Sequence, residues 1–126
     1  MRILILLAAM IAAVPALALP MLHQMQVTSE DGGDFTVQYH AQARLTDYWC
    51  AAGLYARRDL GLSDRARIYR QSPPPRGAGQ GIRFTLDAAR SAGTTGITIF
   101  GGRQDGSMSV AVAVNSFCYD LDLPRF

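Results

Sequence analysis

Two cysteines, two histidines and a run of arginines are the side chains with which this chain could act on something else. Cys50 and Cys118 are 68 positions apart and lack the Cys-x-x-Cys spacing that tunes a thiol for redox exchange, so they read as one structural disulfide. His23 and His40 are too distant from each other, and from any grouped carboxylates, to supply the three or four ligands of a zinc site. The Asp31-Gly32-Gly33-Asp34 and Gln104-Asp105-Gly106 stretches lack the ladder of oxygen ligands of a calcium loop and read as turns. No metal site, catalytic residue or cofactor is therefore assigned.

Nucleophilic chemistry finds no support either. The sequence has no Gly-x-Ser-x-Gly elbow, and an oxidised Cys50 has no thiolate. Paired carboxylates for acid–base work must face each other across a cleft, whereas here the aspartates fall in turns, at helix ends and in the tail. The balance leans away from an enzyme. A small hydrolase with an unrecognised site would require His40 to meet an aspartate in a pocket.

Charge is the more telling property. Nine arginines against four aspartates between Arg44 and Arg90 give that stretch a local net charge of +5, and the chain contains no lysine. The run Arg76-Gly77-Ala78-Gly79-Gln80-Gly81 has the glycines of a phosphate loop. It follows three prolines and precedes a strand pattern, where a phosphate loop would open a helix, so a hairpin connection is expected.

The elements that must hold these groups follow from periodicity. Phe35 to His40 alternates apolar and polar, with Phe35, Val37 and Tyr39 facing a core. Leu45, Tyr48, Trp49, Ala52, Tyr55, Ala56 and Leu60 form one helical face, with Thr46 or Asp47 as N-cap and Gly61 as terminator. Cys50 lies on the flank of that face. Further strands are expected at Ala66–Arg70, Ile82–Leu86, Ile97–Phe100 and Met108–Val114, the last with Val110, Val112 and Val114 inward. Asp87 to Gly96 has room for one helical turn.

The outcome is an α+β fold, one amphipathic helix packed on a four- to five-stranded antiparallel sheet. The strand–helix–strands order resembles the cystatin-like topology, which implies a sheet wrapped around the helix; the cystatin Gln-x-Val-x-Gly hairpin motif is missing. The string Tyr48-Trp49-Cys50-Ala51-Ala52-Gly53, with Tyr55 to Arg58, resembles small exported bacterial proteins of no assigned activity. That resemblance covers the helix and the following strand.

Export is expected on other grounds. Arg2, the apolar run Ile3–Ala13 and Ala16-Leu17-Ala18 have the three parts of a signal peptide, and Pro15 interrupts the stretch before it reaches a membrane-spanning length. The expected division is a signal peptide over 1–18, a flexible lead-in over 19–33 and one domain over 34–126, periplasmic or secreted, with no membrane anchor after cleavage. Such a location argues against nucleic acid as partner and for an envelope protein or a small anionic ligand. With Ile68, Ile82 and Phe84 inward, Arg67, Tyr69, Arg83 and Thr85 would share the outer sheet face. That face, or the adjoining loop bearing Arg76, is the expected binding surface. An inhibitor-like module acting through the 71–80 loop is the alternative.

Overall fold

The computed structural model describes residues 25–98 and 103–118. The expected signal peptide, His23, Ile99, Phe100, Gly101, Gly102, Asp120 and Asp122 lie outside the described residues.

Five short strands, β1 (Val27–Ser29), β2 (Phe35–Val37), β3 (Arg67–Arg70), β4 (Ile82–Thr85) and β5 (Ser107–Ser109), form one sheet in the order β1-β2-β4-β3-β5. Every neighbouring pair is antiparallel, as short connections favour. Helix α1 (Leu45–Arg58) covers one face of this sheet, and a second helix, α2 (Val110–Phe117), packs beside α1. The expected α+β class holds.

Phe35, Val37, Ile68, Ile82 and Phe84 are fully buried beneath Tyr48, Trp49, Ala52 and Ala56 of α1. Aromatic rings set the packing. Phe84 stacks on Phe35 at 5.7 Å between centroids and meets Trp49 edge-on at 4.8 Å.

Several expectations need correction. β1 lies inside the segment read as a lead-in, and its Val27 pairs with Val37 on the inward face. β2 ends at Val37, so Tyr39 leaves the core and is 44% exposed. The N-cap of α1 is Arg44, neither Thr46 nor Asp47. Asp47 acts from the third helical position, where its Oδ2 accepts the Arg44 N–H at 2.8 Å. Gly61 takes the left-handed conformation expected of a helix terminator, at φ +65°. The helix itself ends at Arg58, so Leu60 falls beyond the core stripe and is exposed. β4 likewise stops at Thr85, leaving Leu86 exposed. Ile97 and Thr98, the described half of another expected strand, form no strand.

The largest difference is at the C-terminal end. Only Ser107–Ser109 pairs as a strand, and the Val-Ala-Val-Ala-Val run that alternates like a strand is helical. Ser109 caps this helix, its Oγ accepting the Val112 N–H at 3.1 Å. The Ala66 and Asp64 carbonyls accept the next two orphan donors, from Val110 and Ala111, at 2.9 and 3.0 Å. Val110, Ala113, Val114 and Phe117 then face α1, whereas Val112 points out. Gly53 permits the approach: a Cβ there would meet the Ala113 Cβ at 2.8 Å. The Cys50–Cys118 disulfide closes the end of this helix pair. Such a bridge fits an oxidising, non-cytoplasmic environment. No helix among the described residues is long and apolar enough to cross a membrane.

Candidate functional site

Alternation along β3 and β4 places Arg67, Tyr69 and Arg83 on the sheet face away from α1, as expected. Register brings Tyr69 opposite Thr85 and Ser107, and Arg83 opposite Thr36. Thr85 corrects the expected surface: it is fully buried at the end of β4, where Ala88–Arg90 turns back and Arg90 reaches Asp34 at 2.8 Å. Both outer arginines already have partners within the chain. Arg83 is 3.6 Å from Glu30, which also accepts from Thr36 Oγ1 at 3.0 Å. Arg67 Nε donates to Ser107 Oγ at 2.9 Å, and Ser107 Oγ donates in turn to Asp105 Oδ1.

The Arg67–Ser107–Asp105 chain has the residue types of an activated hydroxyl but the wrong proton affinity. The hydrogen bond from Ser107 holds the Asp105 carboxyl below the ordinary carboxylate range, with help from the nearby Arg67 charge. A carboxylate so stabilised is a weak general base at neutral pH. It does have a pH signature. A lowered native pKa stabilises the fold above the unfolded value of about 3.9, and this contribution is lost as pH falls through the native pKa. Ser107→Ala should therefore cost stability at pH 7, with the gap from wild type narrowing as pH drops below about 3.9. Urea unfolding at pH 7 and pH 3 checks this; a pH-independent gap would assign Ser107 to packing alone.

The same alternation that turns Arg67 and Tyr69 outward turns Arg70 inward beside Ile68, a consequence the expected site omitted. Arg70 is 1% exposed. Its Nε donates to the Ser72 carbonyl at 2.8 Å and its Nη1 to the Thr95 carbonyl at 3.1 Å. No carboxylate among the described residues pairs with it. A buried guanidinium is costly without a counter-charge. Burial, and then the like charge of Arg76, push its pKa down, although a guanidinium stays protonated at any physiological pH.

Loop 71–81 brings Arg76 to the same place. Arg76 lies over the rings of Tyr39 and Tyr48, its guanidinium carbon 5.2 and 5.3 Å from their centroids. Its Nη1 donates to the Gly77 and Gln80 carbonyls at 3.1 and 2.8 Å, fixing the loop's shape. The exposed Tyr39 thus has a role as a platform.

Between these groups lies a cavity of about 310 Å³. Ala43, Leu45, Pro74 and Pro75 supply apolar walls, and Arg70 and Arg76 supply the charge. Gly96 completes the lining. It has φ +79°, and a Cβ there would collide with Arg70 Nη1. The Thr95 carbonyl also accepts from Trp49 Nε1 at 3.3 Å, tying this wall to the core.

His40 sits near this region but meets no acid among the described residues. Its backbone N–H donates to Tyr48 Oη at 3.3 Å, and its Nδ1 is buried without a hydrogen-bond partner. Among the described residues no group of three His, Cys, Asp or Glu side chains could hold a metal ion. A second hollow, of about 190 Å³, is lined by Met25, Val27, Leu54 and Tyr55 together with Arg58 and Asp59.

No protein-family model, curated protein sequence or solved structure matches the chain. The cystatin-like likeness is accordingly an analogy of topology.

Proposed function

We propose that this protein is an exported, non-enzymatic binding domain that takes a small anionic ligand in the cavity between Arg70 and Arg76. One observation carries the reading: Arg70 is buried, charged and without a carboxylate partner among the described residues. Only two of the five N–H donors of its guanidinium are used by backbone carbonyls. An anion entering the cavity would meet the remaining donors and relieve the repulsion between the two arginines. The disulfide supports export, with residues 1–18 as a cleaved signal peptide and the mature domain in the periplasm or outside the cell.

A ligand that binds only the native state raises the unfolding temperature in a saturable way. The oxidised protein should therefore be stabilised by a small anion, at constant ionic strength, and Arg76→Gln should lose the effect. Arg67→Ser combined with Arg83→Ser should retain it. The opposite pattern would move binding to the outer sheet face, where Tyr69 lies between the two arginines. Survival of the effect in both variants would overturn both placements.

A further inference from the structure

We infer that the ligand of the Arg70–Arg76 cavity is a monocarboxylate bearing a compact apolar group, not a phosphate. This inference rests on the anion-binding reading and goes on to its chemistry.

The distribution of donors decides the class. A phosphate presents oxygens in several directions, and its binding sites surround it with backbone N–H groups as well as cationic side chains. Here two of the lining residues, Pro74 and Pro75, have no N–H to give. Two other lining N–H groups are already engaged: Ala43 N–H bonds the His40 carbonyl at 3.1 Å, and Gly96 N–H bonds Thr94 Oγ1 at 3.2 Å. Leu45 opens α1, but Asp47 already places a negative charge in that first turn.

The side-chain donors of the lining are thus two guanidinium groups. Guanidinium donors match the two coplanar oxygens of a carboxylate. The rest of the ligand must then lie against Ala43, Leu45 and the proline rings, where a second charged or strongly hydrated group would lose water without recovering hydrogen bonds. A volume of about 310 Å³ leaves space for such a group behind the carboxylate.

The test uses the oxidised protein with three probes at constant ionic strength: isobutyrate, its neutral isostere isobutyramide, and inorganic phosphate. Calorimetric titration should show saturable binding of isobutyrate, with isobutyramide and phosphate failing to saturate. Arg70→Lys keeps the charge but loses the planar fork, and should weaken isobutyrate binding roughly ten- to hundredfold. Should that variant not fold by circular dichroism, Arg76→Gln on the loop serves, with loss of isobutyrate binding again expected. Binding of phosphate but not isobutyrate would overturn the carboxylate assignment and leave the anion reading standing. Equal binding of isobutyrate and isobutyramide, or no binding of either anion, would overturn both.

Discussion

Cys50→Ser should lower the unfolding free energy by about 2–5 kcal/mol, the range found when a small domain loses a native bridge. The bridge closes a loop of 68 residues, for which the chain-entropy model gives roughly 4 kcal/mol. Its position adds a structural reason for a large loss. α2 has only 8 residues, too few for a helix to persist alone, and is held by the Ser109 cap, the Gly53 contact and this disulfide. Without the bridge, the buried Val110 and Ala113 face is the first apolar surface to be uncovered. Urea unfolding of wild type, Cys50→Ser, Cys118→Ser and the double variant checks the point. Both single variants and the double variant should lose about the same amount, because either change removes the one shared bond. Wild type that is equally stable with and without reductant would show the bridge to be unimportant.

The second large effect belongs to Trp49. Trp49→Ala should cost about 3–5 kcal/mol, as for other large aromatic side chains truncated in a core. Trp49 is fully buried, packs edge-on against Phe84, and donates to the Thr95 carbonyl that also receives Arg70. Trp49→Phe separates these contributions. It keeps an aromatic ring beside Phe84 and gives up the hydrogen bond, so the expected loss falls to about 1 kcal/mol for the bond together with a smaller packing term. If the Trp49–Thr95 contact positions the wall over Arg70, Trp49→Phe should also weaken anion binding in proportion greater than its stability loss. Denaturant unfolding and anion titration on the same variant distinguish the two: unchanged binding would limit Trp49 to packing.

These experiments separate two kinds of cation on one strand. Arg67 and Arg70 are three residues apart on β3, yet Arg67 meets the Ser107 hydroxyl, itself bonded to Asp105, on the outer face, whereas among the described residues Arg70 meets backbone carbonyls inside. Composition counts them alike. The pleat turns their side chains to opposite faces, and the difference in surroundings makes one a surface charge with a partner and the other a buried charge with no carboxylate partner among the described residues.

Local pattern was enough wherever a segment could bury its apolar residues in only one way. The Phe35/Val37 and Ile82/Phe84 alternations, the Tyr48-Trp49-Ala52-Ala56 face, the Gly61 terminator and the pairing of two lone cysteines were all legible in the chain. The inward direction of Arg70 was equally legible from Ile68, but its significance was not, since only the fold reveals that no acid among the described residues pairs with it. Val110–Phe117 shows the limit most clearly. Val110, Val112 and Val114 fit a strand of period two, while Val110, Ala113, Val114 and Phe117 fit a helix of period 3.6 equally well. Short apolar runs satisfy both periods, so the choice falls to long-range contacts: the Ala66 and Asp64 carbonyls that take its first N–H groups, and the Gly53 notch that receives Ala113. The cavity has the same origin. It joins Ala43 and Leu45 at the start of α1, Arg70 at the end of β3, the proline loop and Gly96, four places that only the tertiary structure brings together.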